Sequence, residues 1–246
     1  MKIIISPAKK MNIDTDTYSI SELPQFLPHT EILLDYMKKL SYDEVKSLWK
    51  CNDKLAQMNY RRIQEMDLRK CLTPAICSYE GLQYQYMAPN VFSKSALEYI
   101  QNNLCILSGF YGVLKPFDGV TPYRLEMQAK VKLDGYRDLY EFWGDSLYKF
   151  VVDEQHMIIN LASKEYSRCV EDYVKEEERF VTCVFGEAID GKVVQKGTKA
   201  KMARGEMVRY MAENNVNKPE ELKNFCRLNY HFSEELSSDS NYIFLQ

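Results

Sequence analysis

LCILSGFYGVLKPFDGVTPYRLEM, residues Leu104 to Met127, is the stretch from which the fold and the site are read. Leu104–Leu107 is a short apolar run of the length that makes a buried strand. The pattern then breaks at Gly109, Gly112, Pro116, Gly119 and Pro122, each of which frees or fixes the backbone. Tyr111, Lys115, Tyr123, Arg124 and Glu126 stand between those breaks. A loop with two tyrosines, two cations and a carboxylate on a Gly/Pro frame is costly to order. Two readings stay open on these residues alone: a positioned site, or a tight connection with Tyr and Arg packed on the core edge.

Outward from that stretch, the chain alternates strand and helix signals. Lys2–Ser6, with three consecutive isoleucines, predicts a strand buried on both faces. The loop after it carries Lys9, and strand ends are where α/β proteins place ligand groups. Residues 12–30 are polar and predict a surface loop, and Glu31–Leu40 predicts a helix. Ser41 and Glu44 form a capping-box pattern that opens a helix to about Lys50. Asn52 caps a second helix to about Met66. Lys38–Lys70 holds nine Lys/Arg against five Asp/Glu. Such a helix pair is either a duplex-gripping hairpin or a solvated one. Ala75–Tyr79 predicts a strand, Ser93–Asn103 a capped helix and Asp138–Val152 a core helix.

Met157–Leu161 predicts another strand. Asn160 at its end either faces a site or serves the fold, and Ser163 reads as the N-cap of Lys164–Val170. Phe180–Phe185 and Lys192–Gln195 flank an Asp190-Gly191 hairpin turn. The next helix, to about Asn214, places Ala200, Ala203, Met207 and Met211 on one face, with Lys201 and Arg204 on its shoulder. Lys192–Arg209 holds six Lys/Arg and one acid, the densest basic segment in the chain. A hairpin over Tyr230–Phe232 and Tyr242–Leu245 closes the chain. No repeat, linker or composition break interrupts residues 1–246, which read as one domain.

The chain has 246 residues and a formal charge of −3, so any affinity for nucleic acid must come from a local patch. Seven cysteines, an odd number without a CxxC pair, fit reduced thiols in a cytoplasm. Three scattered histidines offer no metal-ligand spacing, and neither metal nor cofactor is expected. The N-terminal apolar run is too short for a signal sequence or a membrane span.

Several ordered blocks resemble the YaaA family of peroxide-stress proteins, also called UPF0246 or DUF328. They are Ile5-Ser-Pro-Ala-Lys9, Asp53-Lys-Leu-Ala56 with Asn59 and Arg61–Arg62, Leu107–Pro116 with Asp118, and Pro122–Met127. Leu139–Asp145, Ile159–Ser163 with Glu165-Tyr166, and Ala200 through Ala203-Arg-Gly205 complete them. The resemblance implies a cytoplasmic α/β protein of one domain, a mixed β-sheet surrounded by helices. It also implies a role in limiting iron-driven DNA damage by hydrogen peroxide, and binding of double-stranded DNA through a basic cleft. A helix-hairpin-helix-like element maps onto Ser41–Met66. The sequence departs from the family at Leu82, where an Asp is usual, and at Lys115, where Arg is common; the latter keeps the charge and loses the bidentate fork.

Two classes of function follow. In the first, Lys9, Lys115, Arg124, Asn160, Lys196, Lys199, Lys201 and Arg204 line one groove on DNA. Tyr111 and Tyr123 then stack on an exposed base or wedge at a distortion. In the second, the same cleft is an enzyme site for a nucleotide or nucleic acid, with Glu126 as candidate general base. The discriminator is shape: an open groove favours a binder, an enclosed pocket an enzyme.

Overall fold

The computed structural model describes residues 1–246 and shows an α/β fold with a mixed eight-stranded sheet. Five parallel strands form its centre: Leu104–Ser108, Lys2–Ile5, Met157–Leu161, Arg179–Ile189 and Asn241–Leu245, side by side in that order. Gly112–Leu114, Lys192–Val194 and His231–Phe232 add antiparallel partners. The isoleucine run behaves as its composition demands. Ile3, Ile4 and Ile5 are all fully buried. Neighbouring residues of a strand face opposite ways, so both sheet faces are covered there.

In chain order the parallel strands lie 2-1-3-4-5. After Lys2–Ile5 the chain builds outward on one side, then returns to build on the other. The strand ends diverge at that reversal, and ligands of doubly wound sheets bind outside them. Here the reversal lies between Ile5 and Leu161, paired in register. Ser6 and Ser163 follow those two strands and are tied together: the Ser163 amide donates to Ser6 Oγ at 2.8 Å, and Ser6 Oγ donates to Ser163 Oγ at 3.2 Å.

Local signals set most of the helices. Ser41 and Glu44 close the expected capping box on Tyr42–Trp49, and Asn52 accepts from the Leu55 amide to start Asp53–Glu65. Each such cap is worth about 1 kcal/mol. Lys50 turns the corner in the left-handed conformation (φ 44). The turn Asp190-Gly191 (φ 49 and 72) joins its two strands as read. The basic helix spans Gly197–Glu213, with Ala200, Ala203, Met207 and Met211 buried.

Three expectations are corrected. The helix read as Glu31–Leu40 begins at Leu27 with a proline in its first turn, because Pro28 needs no amide donor there. Ala75–Ser78 is a single helical turn followed by a short strand, Tyr79–Glu80. Its first amides donate to the carbonyls of Asp118 and Pro116, which fix the turn. Asp138–Val152 divides into Leu139–Trp143 and Ser146–Val151, broken at Gly144 (φ 50).

Candidate functional site at the strand ends

A cavity of about 360 Å³ opens where the sheet reverses direction. Residues 6–10 follow the first strand, and Ser163, Glu165 and Tyr166 follow the third. Leu82 and Tyr84 come from the helix Leu82–Met87, and Tyr123–Glu126 from the loop quoted first. Lys201 and Arg204 complete the lining from the basic helix.

Two glycines bring those walls together. At Gly205 an added Cβ would lie 2.1 Å from the Gln83 carbonyl oxygen, so only hydrogen lets the basic helix lie against Leu82–Met87. That contact carries Lys201 to the cavity rim and Arg204 into the cavity wall. At Gly109 a Cβ would meet the Leu125 carbonyl oxygen at 2.7 Å and the backbone of Glu126 at 2.9 Å. The turn after Leu104–Ser108 therefore presses on the chain that carries Arg124 and Glu126. The wall of Leu82–Met87 is tied to both strand ends, since Tyr84 Oη donates to the Ser6 carbonyl at 3.0 Å and Gln83 Nε2 to the Leu161 carbonyl at 3.4 Å.

Lys9, Tyr123, Arg124, Glu126, Lys201 and Arg204 are thus brought together from three distant parts of the sequence. Lys9 Nζ sits 2.8 Å from Glu126 Oε2, while Arg124 approaches Glu126 Oε1 at 3.7 Å. Lys10 pairs with Glu80 at 2.5 Å. Neither the Arg124 nor the Arg204 guanidinium makes a hydrogen bond to the protein, and the Nε of each is buried without a partner. Lys201 is exposed and forms no ion pair. Burial draws the Arg204 guanidinium below the usual arginine range, with no carboxylate to offset it. Burial first, and then the Glu126 charge, push the Glu165 carboxyl up; its Oε1 accepts from the Gln128 amide at 3.2 Å.

The other residues assigned to a common groove lie elsewhere. Tyr111 is fully buried, its hydroxyl 3.0 Å from Thr121 Oγ1, so it cannot stack on a base. Tyr123 reaches the cavity only with an edge, being 6% exposed. Its hydroxyl is held between Ser108 Oγ at 2.6 Å and Tyr79 Oη at 2.8 Å. Lys115 pairs with Glu22 at 2.6 Å, outside the cavity. Lys196 and Lys199 both clamp Glu187, at 2.7 and 2.8 Å, and hold that carboxyl down at about 2. Asn160 braces its own strand end: it accepts from the Ala162 amide at 2.9 Å and donates to Thr182 Oγ1 at 3.2 Å. Ser163 holds the N-cap position without a side-chain cap bond. The helix pair 42–65 contributes nothing to the cavity.

Glu165, Tyr84 and Tyr166 belong to the site and were not singled out from the residues as chemistry. Glu165-Tyr166 was legible only inside a family block. Tyr84 carried no signal, because its role depends on the helix that Gly205 admits. No helix is long and apolar enough to cross a membrane.

Comparison with known proteins agrees with this frame. The sequence model of the family described as peroxide stress protein YaaA matches residues 1–236. A UPF0246 protein of Lachnoclostridium phytofermentans is 58% identical over 246 residues, covering 100% of this chain and 96% of the relative. One from Agathobacter rectalis is 56% identical over 244 residues, covering 99% and 98%. One from Pediococcus pentosaceus is 54% identical over 246 residues, covering 100% and 98%. With the match running through every segment that lines the cavity, the chain belongs to the YaaA (UPF0246) family of peroxide stress proteins.

Proposed function

We propose that this protein acts in the peroxide response by binding DNA, with the cavity as the point where the strand is held. The observation that carries the reading is a pair of guanidiniums with buried, unpartnered Nε atoms, of which Arg204 has no ion pair and Arg124 only a long one to Glu126. A guanidinium offers five donors and cannot shed its proton. Leaving one partly buried without an anion is costly, so Arg204, and Arg124 whose nearest carboxylate is 3.7 Å away and shared with Lys9, call for an anionic ligand from outside the protein. Among cavity-lining charges, Lys10 is matched by Glu80 and Lys9 by Glu126. Arg124, Lys201 and Arg204 remain against Glu165 alone, an excess of two positive charges (3 − 1 = 2) in a molecule of net charge −3. Phosphates of a nucleic acid match that excess.

The helix pair 42–65 supports the same reading from a second surface. Lys50, Lys54, Arg61 and Arg62 form no ion pairs there, and all but the partly buried Arg62 are exposed. A duplex held by backbone contacts at the cavity rim and on the helix pair would be bound with little sequence preference. The test is titration of duplex DNA across salt concentrations. Affinity is expected to fall steeply with salt. Replacing Lys201 and Arg204 by Ala should lower the slope of log K against log salt by roughly one per lost phosphate contact. An unchanged slope removes the cavity from the interface, and no binding at about 50 mM salt removes the DNA reading.

A second reading, an enzyme acting on a nucleotide or nucleic acid, is favoured by the paired carboxyls. Glu126 is ion-paired and held by the backbone under Gly109, whereas Glu165 is pushed toward its protonated form. Two carboxyls in such different surroundings can divide base and acid roles. On this reading Glu126→Gln abolishes turnover and keeps ligand binding. Mononucleotides and DNA both recovered unchanged after incubation would set it aside.

A further inference from the structure

We infer that the cavity is a single-nucleotide site, which takes one unstacked nucleotide with its phosphate on Arg124, Arg204 and Lys201 and its base against the apolar wall. The inference deepens the DNA-binding reading and rests on it only for where the nucleotide comes from.

Size is the first argument. A sphere of 360 Å³ is about 9 Å across, while the major groove of B-DNA alone is about 12 Å wide. A double helix cannot enter. The volume lies instead at the low end of small-ligand sites, about 300–1,000 Å³. A duplex could meet only the rim, where exposed Lys9 and Lys201 stand. Arg204 and Arg124 are set deeper, the Arg124 side chain only 11% exposed.

The lining is the second argument. Phosphate alone would need only the cations. This cavity also has an apolar side built from Pro7, Ala8, Leu82, Tyr84 and Tyr166. Tyr84 and Tyr166 are 5% and 7% exposed, and the Tyr84 hydroxyl is tied to the Ser6 carbonyl, so the wall is held in place. Pockets that accept an extruded base use such rigid apolar and aromatic walls together with a few hydrogen-bonding groups. Gln83, Glu126 and Glu165 supply those groups here.

Polarity is the third argument. Arg204 comes from the basic helix, and Glu126 and Glu165 from two other segments, so a ligand that meets all three must span the cavity. A nucleoside monophosphate has a phosphate at one end and a base with donors and acceptors at the other. A bare anion satisfies only the arginines.

The experiment compares five probes on the full-length protein by calorimetry: inorganic phosphate, deoxyadenosine, dAMP, and two duplexes that are identical except for one extrahelical adenosine. Expected are saturable dAMP binding, about tenfold or more tighter than either phosphate or deoxyadenosine, and loss of about tenfold or more in Arg204→Ala. Arg204→Lys should recover part of that loss, since it restores charge without the fork. Circular dichroism confirms that each variant is folded. If DNA supplies the nucleotide, the duplex with the extrahelical residue binds tighter than its intact twin, and dAMP displaces it. If dAMP binds and neither duplex does, the single-nucleotide site stands and the DNA reading fails. If both duplexes bind equally and dAMP competes with neither, DNA binding stands and the single-nucleotide site is overturned. Phosphate binding as tightly as dAMP also overturns it.

Discussion

Two groups of cations in this protein had the same standing in the sequence and have opposite standing in the fold. Lys196 and Lys199 precede and open the basic helix; Lys201 and Arg204 sit one turn further on. The first two are spent on Glu187, whose carboxyl they hold at about 2. They pin the hairpin 179–194 to the helix start. Lys201 and Arg204 find no carboxylate at all, because Gly205 seats that turn against the backbone of Leu82–Met87. The density of positive charge along a chain therefore says little about where an anion will bind. What decides it is which cations the fold leaves without an internal counterion.

Asp118 shows the same problem with the other sign. It is 2% exposed, with one oxygen accepting from the Lys115 amide at 2.9 Å and the other without a partner. The Lys115 ammonium goes to Glu22 instead. A carboxyl can resolve such isolation by keeping a proton, and burial pushes Asp118 up to about 7. Arginine has no such exit, which is why the arginine site points to a ligand and the aspartate site does not.

The contrast can be attacked in order of expected effect. Between the ordinary value of 3.8 and about 7, the folded state holds a proton on Asp118 that the unfolded chain has released. Stability is then complete below about pH 4 and is lost as pH rises through 7, by at most about 4 kcal/mol from this group. Urea melts at pH 5 and pH 8 should show that decline, reduced in Asp118→Asn; an equal pH dependence in both proteins contradicts the assignment. Next comes the helix contact. Gly205→Ala should cost about 3 kcal/mol, because the new methyl meets a backbone carbonyl rather than a flexible side chain. Gly197→Ala, with nothing within 4 Å of its Cβ, should change stability by less than about 0.5 kcal/mol. Equal melting midpoints for the two variants would break the claim that Gly205 positions the site. The smallest effect separates the two groups of cations: Lys196→Ala with Lys199→Ala should change nucleotide or DNA affinity by less than about twofold. A loss as large as that of Arg204→Ala would extend the site to Glu187 and erase the contrast.

How much was legible follows from what each feature depends on. Buried strands announced themselves through local composition, as Ile3–Ile5 and Leu104–Leu107 did. Caps and turns did so through residue type, as at Ser41, Asn52 and Asp190-Gly191. Lys9, Arg124, Glu126, Lys201 and Arg204 were legible because they stand beside strand ends or glycines. Tyr111 and Asn160 were not, since a polar atom in a core looks the same in sequence as one at a site until its partner is known. Thr121 and Ala162 are those partners. Lys115, Lys196 and Lys199 lie outside the cavity for the matching reason, their counterions Glu22 and Glu187 being invisible as partners before the chain folds. The loop expected over residues 12–30 gives way to helix at Leu27, because a proline in the first turn starts a helix.

The central claim is that Arg124 and Arg204 form one anion site at the strand ends and await a ligand that the protein does not supply. The most direct measurement is a crystal structure of the protein soaked with dAMP. The account predicts the phosphate within about 3 Å of both guanidiniums, with the base inside the cavity. A phosphate found on the helix pair 42–65 or beside Lys196 and Lys199, with the cavity empty, would contradict it.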